Sequence, residues 1–307
     1  MTTIHFTDIK MQDKTLIDPY LKSLTNRSCQ FAFANLICLA NKYKTQIAIY
    51  DDVLYMRQLN KLYNGYTAYF LPICKDKSKM QDALRNILQT SRAEGHKAFL
   101  YSVIGEEADR LKEFEEFNFT FDSNRDWSEY LYLTEDLATL SGSELARQRR
   151  MVKKFEKNYS DLDIEFEQIT SSNIEEILLF QERWFNEKVD ITQDRESIKE
   201  EHLALNLAFS NFEYLDLFGI ALRINCQIEG YAYGSIVSGD TFDKIAEKGN
   251  YHFQNIYKVI SQEMAVSAKT ISTYTNMEED IGIDGLREMK LRYKPHEIID
   301  KINVYFR

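Results

Sequence analysis

Between residues 66 and 133 the spacing of apolar side chains changes period again and again, and this constrains the fold more than any other feature. YTAYFLPI (66–73) alternates, as a strand does, and closes on Pro72. KDKSKMQDALRNILQTSRAEG (75–95) has the helical period, with Ser78 placed as an N-cap and Gly95 as the residue beyond the last turn. KAFLYSVI (97–104) alternates again, EEADRLKEFEEF (106–117) is helical, and SEYLYL (128–133) is a third strand. Strands that alternate with helices are expected to build an α/β layer structure with a mixed sheet flanked by helices.

The second half repeats the theme. SGSELARQRRMVKKFEKNY (141–159) is expected to be a helix capped by Ser143, followed by strand DIEFEQI (163–169), helix NIEEILLFQERWFNEK (173–188) and a further helix over 196–212. FGIALRINCQIEGYAYGSIVS (218–238) is a hairpin, with two alternating runs meeting at Asn225–Cys226 and Gly230 permitting a bulge. Helix YHFQNIYKVISQEMAVSA (251–268), strand TISTYTNM (270–277), a helix within 284–293 and strand EIIDKINVYF (297–306) complete the chain. At 307 residues the length suits two domains. No linker announces itself by composition, so pattern places the boundary: 1–139 and 140–307.

Several functional classes are disfavoured. A net charge of −10 argues against general nucleic-acid binding, DNA included, while leaving room for a local basic patch. The longest apolar run, FAFANLICLA (31–40), is too short for a membrane span. The N-terminus lacks a cationic flank before an apolar core, so a cytoplasmic location is expected. Cys29, Cys38, Cys74 and Cys226 have no metal-like spacing, the five histidines are scattered, and no metal is expected. No nucleophile elbow, P-loop or dinucleotide fingerprint occurs.

Three segments carry more polar groups than capping requires. In NMEEDIGIDGLREMKLRYKP (276–295), Asn276 stands near the C-terminal end of a strand, where ligands of α/β sheets tend to sit. Gly282 and Gly285 permit close backbone approach, with Asp280 or Asp284 as a helix cap. Leu286, Met289 and Tyr293 share a helix face beside Arg287, Lys290 and Lys294. In the 141–159 helix, Leu145, Val152, Phe155 and Tyr159 form the inner face. Arg147, Arg150, Lys154 and Lys157 face water, and Arg149 and Lys153 flank the apolar stripe, where a cation can reach into a cleft. In KIAEKGNYHF (244–253), Glu247 and Lys248 end a strand, and Gly249 precedes a helix N-terminus able to hold an anion. The plain alternative in all three is a core-facing stripe bordered by solvated charges.

Together these segments resemble the bacterial proteins related to the C-terminal catalytic domain of phosphatidylglycerol lysyltransferases. That family's pattern, N-x-E-x-D-x-G-x-x-G-L-R-x-x-K-x-x-Y-x-P, is met by Asn276, Glu278, Asp280, Gly282, Gly285, Leu286, Arg287, Lys290, Tyr293 and Pro295. Arg150 and Ile245 stand where the family commonly has asparagine and histidine. The resemblance implies two GNAT-like acyltransferase domains in tandem, with the site in the second. It implies an acyl- or aminoacyl-transferase moving an activated acyl group from an anionic donor, acyl-CoA or aminoacyl-tRNA, to an amine or hydroxyl acceptor. Glu247 or Glu278 would take the proton, Asn276 would orient the donor or stabilise the oxyanion, and Tyr293 would either protonate the leaving group or serve packing. Arg149, Lys153, Lys248, Gly249, Arg287 and Lys290 would hold the donor's anion. The alternative is a non-catalytic GNAT-like module that binds an anionic small molecule or a protein partner.

Overall fold

The computed structural model describes residues 2–59, 65–191 and 195–307, the side chains of 189–191 excepted. The chain divides into two compact units. One comprises Met1–Glu129, Glu279–Gly282 and Ile299–Arg307; the other comprises Tyr130–Glu278 and Ile283–Ile298. The boundary expected between 139 and 140 therefore differs from this partition by ten residues, and two late segments return to the first unit.

In the first unit the strands are β1 (Thr7–Asp8), β2 (Thr45–Tyr50), β3 (Val53–Gln58), β4 (Tyr66–Tyr69), β5 (Ile73–Cys74), β6 (Lys97–Ile104) and β7 (Thr120–Ser123). The helices are α1 (Lys14–Leu21), α2 (Phe33–Cys38), α3 (Ala40–Tyr43), α4 (Met80–Ala93) and α5 (Gly105–Leu111). The second unit has β8 (Glu129–Leu133), α6 (Thr134–Thr139), α7 (Ala146–Asn158), β9 (Ile164–Gln168), α8 (Ile174–Ile191), α9 (Arg195–Ser210), β10 (Phe218–Ile224), β11 (Gln227–Ser238) and β12 (Thr241–Gly249). It continues with α10 (Ile256–Ala268), β13 (Tyr274–Glu279), α11 (Asp284–Leu291) and β14 (Glu297–Ile299), and β15 (Lys301–Tyr305) closes the first unit's sheet.

The first sheet has the order β1-β2-β3-β4-β6-β15-β7, with β5 on β3, and the second runs β14-β8-β13-β12-β11-β10-β9. In the first sheet β4 pairs with β6 in parallel, and in the second β12 pairs with β13 in parallel. A parallel neighbour cannot be reached by a tight turn, so a helix lies between the paired strands in each case, α4 and α10. Leu84, Ile87, Leu100 and Val304 pack in the first core; Leu222, Ala232, Phe242, Ile260 and Met264 pack in the second. No helix among the described residues is long and apolar enough to cross a membrane.

Several expected boundaries moved, each for a local reason. Asp76, not Ser78, caps the turn leading into α4, accepting from the Ser78 N–H at 2.9 Å. Helix α7 starts after Leu145 without a side-chain cap from Ser143. Helix α10 starts at Ile256 rather than 251, because Asn250 binds the Glu229 carboxylate and the His252 N–H, and Asn255 is left-handed at φ 70°. EIIDKINVYF is two strands, divided at Asp300.

Candidate functional site

The parallel strands β12 and β13 stay in register over Thr241↔Tyr274, Phe242↔Thr275 and Asp243↔Asn276. Beyond that, β12 continues from Lys244 to Gly249, and β13 from Met277 to Glu279. Two strands that part leave backbone groups in search of partners. On the β13 side Lys290, only 5% exposed, donates to the carbonyl oxygens of Met277 and Glu278, the latter at 3.1 Å. Asn276, fully buried, accepts the Glu278 N–H on its Oδ1 at 2.7 Å. These bonds fix Glu278 at φ 58°, turning the chain out of the strand.

The turn continues through Ile281 at φ 47°. A β-branched residue there costs about 1–2 kcal/mol against a right-handed conformation. Ile281 is 61% exposed and contributes little packing. Ile281→Gly, after the entropy that glycine loses on folding, is expected to raise the unfolding free energy by about 0.5–1 kcal/mol. Urea denaturation measures this; a variant that loses stability would mean that the Ile281 side chain holds the turn.

On the β12 side a bulge decides which side chains meet. Tyr233 pairs with Ala246 and Ser235 with Asp243, so Gly234 alone stands opposite Lys244 and Ile245. In a regular strand residues 244 and 247 would face opposite ways. The extra residue brings them to one face, and Lys244 Nζ lies 2.6 Å from Glu247 Oε2 and donates to Ser261 Oγ at 2.8 Å. Leu137, Phe242, Met264 and Met277 pack beside Lys244, Ser261 and Thr275 without room for a water molecule between them.

The first turn of α10 delivers two further groups. Lys258 places its Nζ 4.8 Å from the Tyr293 ring centroid. Burial holds the Lys258 ammonium below the usual lysine range; Glu247 opposes the shift, and Lys244, Arg292 and Arg147 add to it. Burial, then the Glu247 charge, pushes the Tyr293 phenol well up. The Tyr257 phenol is also raised, chiefly by burial.

The structure thus brings Glu247 and Tyr293 together with Lys244 and Lys258, and gathers Asn276, Glu278 and Lys290 at the end of β13. Other expected members go elsewhere. Lys248 shares a face with Tyr231 rather than with Ala232, and lies against α8 and α9, 2.7 Å from Glu201 and 4.1 Å from the Trp184 ring. Gly249 is not an anion loop: a Cβ there would sit 2.9 Å from Ile256 and 3.2 Å from Ile260, so the residue serves close packing of α10. Arg149 donates to the carbonyls of Leu140 and Gly142, closing a loop whose residues are left-handed at φ 49° and 76°. Lys153 is exposed on α7, and Arg287 is half-buried on α11.

Lys244, Lys258, Tyr257 and Ser261 were not singled out by the pattern. Lys258 did leave a signal, a lone cation inside the apolar run IYKVIS with Ser261 three residues on. Lys244 left none, because alternation assigns it to the wrong face.

The sequence profile described as phosphatidylglycerol lysyltransferase, C-terminal, matches residues 21–305. Among curated proteins none matches the sequence. A crystal structure of a conserved protein of unknown function from Bacteroides thetaiotaomicron VPI-5482 is 30% identical, with a TM-score of 0.91 over 99% of this chain and 100% of that one. L-PGS from Bacillus licheniformis is 12% identical, with a TM-score of 0.66 over 96% of this chain and 92% of that one. A tandem GNAT protein from the clavulanic acid biosynthesis pathway is 5% identical, with a TM-score of 0.51 over 99% and 98%. The last two likenesses concern the fold.

Proposed function

Because the chain belongs to the family of phosphatidylglycerol lysyltransferase C-terminal domains, we propose that it is an acyl- or aminoacyl-transferase whose site lies where β12 and β13 part. The donor is an activated acyl group on an anionic carrier, acyl-CoA or aminoacyl-tRNA, and the acceptor is an amine or hydroxyl. One observation carries this reading: Glu247 pairs with Lys244 where two parallel strands diverge, with Lys258 over the Tyr293 ring on the first turn of the helix that follows β12. A carboxylate there can take the acceptor's proton. Lys244 and Lys258 offer positive charge to the carrier's phosphate. Asn276 and Lys290 act through the backbone, by holding the end of β13.

A second reading, a binding module without catalysis, is favoured by one feature: Arg149, Lys248 and Lys290 are each committed to protein partners. Calorimetry with acetyl-CoA and with an aminoacyl-tRNA separates the two. For the transferase, one donor binds, Lys258→Glu weakens that binding at least about tenfold, a change of roughly 1.4 kcal/mol, and Glu247→Gln preserves binding while abolishing transfer. Donor binding without transfer to any amine or hydroxyl would support the module. Binding of neither donor would remove the transferase reading.

A further inference from the structure

We propose that the first unit carries a ligand site of its own, a pocket along α4 that takes a small carboxylate with an apolar tail. One face of α4 and the turn Glu115–Phe117 frame a pocket of about 570 Å³, within the roughly 300–1,000 Å³ usual for small-molecule sites. Arg85, Leu88, Gln89 and Arg92 line it from the helix, at the three- and four-residue spacings that place side chains on one face. Glu116 and Phe117 line it from the turn. All six residues belong to the first unit, so the site is complete within it.

The charges around this pocket do not cancel. Arg85 is neutralised by ion pairs with Asp82 and Glu116, both at 2.8 Å. Gln81 donates to the other Glu116 oxygen at 3.1 Å, so that carboxylate is engaged on both sides. Arg92 is exposed, and its guanidinium makes no hydrogen bond or ion pair among the described residues. Glu94, the nearest acid along the chain, is held by Arg57 and His96 instead. One cation is left over at the Arg92 end, and the arginine fork matches a carboxylate. Arg85 and Arg92 stand seven residues apart, about 10 Å along the helix axis, and the wall between them is apolar. Phe117 is only 4% exposed and its ring is set by Phe114, Phe119 and Phe306, while Leu88 packs against the same core. A carboxylate at Arg92 therefore lays its tail over Leu88 and Phe117, where burial favours hydrocarbon over a polar chain.

Octanoate is the probe, titrated against the intact protein by ligand-detected NMR, with octyltrimethylammonium as a probe of equal tail and opposite charge. Octanoate is expected to bind saturably with a Kd in the millimolar range, as suits a ligand of its size, and the cation at least about fivefold more weakly. Arg92→Glu should weaken octanoate at least about fivefold, because it replaces attraction by repulsion. Arg92→Lys, which keeps the charge, should lose less, and circular dichroism verifies the fold of both variants. Lys258→Glu, in the second unit, should leave octanoate binding unchanged. The inference is overturned if octanoate shows no saturable binding, if the cation binds as well, if Arg92→Glu leaves the affinity unchanged, or if Lys258→Glu rather than Arg92→Glu abolishes it. The transferase reading concerns the second unit, so it stands or falls separately.

Discussion

Lys301→Met is expected to lower the unfolding free energy by about 3–5 kcal/mol, the range for removing one partner of a buried charge pair. Lys301, on β15, has a side chain only 2% exposed and forms ion pairs with the carboxylates of Glu129 and Glu279. Glu129 is fully buried and accepts from Ser28 Oγ at 2.6 Å, the Cys29 N–H at 3.0 Å and Cys29 Sγ at 3.2 Å. These three carboxylate and ammonium groups come from the three chain segments that make up the first unit, so one ammonium ties 1–129, 279–282 and 299–307 together. Methionine fills most of the volume but leaves the Glu129 charge uncompensated, and the penalty is electrostatic rather than a cavity.

The pH dependence distinguishes that cause from a packing defect. Burial raises the Glu129 carboxyl, but Lys301 and the hydrogen bonds outweigh it and leave it below its ordinary 4.5. Burial lowers Lys301, but Glu129 and Glu279 outweigh it and leave it well above 10.5. A depressed carboxyl contributes stability that is present above 4.5 and lost as pH falls through the folded value. A raised ammonium contributes stability that is present below 10.5 and lost as pH rises through its folded value. The difference between wild type and Lys301→Met should therefore be largest in the alkaline part of that interval; it shrinks as pH falls, starting above 4.5 because burial without the ammonium raises Glu129 in the variant, and it shrinks as pH rises through the folded Lys301 value. Urea denaturation at a series of pH values measures it, and a pH-independent difference would mean that packing alone is at stake.

Gly234→Ala is the second large effect. A Cβ on Gly234 would lie 1.8 Å from the Asp243 carbonyl oxygen and 2.7 Å from the Phe242 ring. No rotamer relieves a clash with backbone, so β11 and β12 must separate at the bulge. Overpacking costs about 1–3 kcal/mol when side chains can give way, and here the loss is expected at or above about 3 kcal/mol. Gly239, where an added methyl would meet nothing within 4 Å, is the control, and Gly239→Ala should change stability by less than about 1 kcal/mol. If Gly234→Ala folds by giving up the bulge, Lys244 and Glu247 return to opposite faces and donor binding disappears even in the folded protein. Wild-type stability and binding in Gly234→Ala would contradict the role assigned to the bulge.

Some of the architecture was written plainly in local pattern. KAFLYSVI became β6 over the same residues, 97–104, because alternation buried on the sheet leaves little choice of register. The 218–238 hairpin turns at Asn225 and Cys226, both left-handed at φ 48° and 64°, as a two-residue hairpin turn requires. Other features depend on contacts that no local pattern records. The bulge opposite Gly234 exists because two backbones approach closely, and a glycine in a strand says only that something is near. Lys290 has the spacing of a ligand-binding cation, yet its acceptors exist only because β13 has left its partner. The division of EIIDKINVYF between two sheets had a single marker, Asp300, within an otherwise continuous strand pattern. Of the expected site, Glu247 and Tyr293 were legible as polar groups on identifiable elements, whereas Lys258 became visible only when α10 was seen to begin at Ile256.

The central claim is that an anionic acyl donor enters between β12 and β13. Amide hydrogen exchange, with and without saturating donor, tests it most directly, since ordering of a binding site slows local opening. The account predicts new protection concentrated in residues 244–249, 256–261 and 277–278, and none of comparable size along α8 and α9. Protection confined to α8 and α9, or to the first unit, with the β12–α10 segment unchanged, would contradict it.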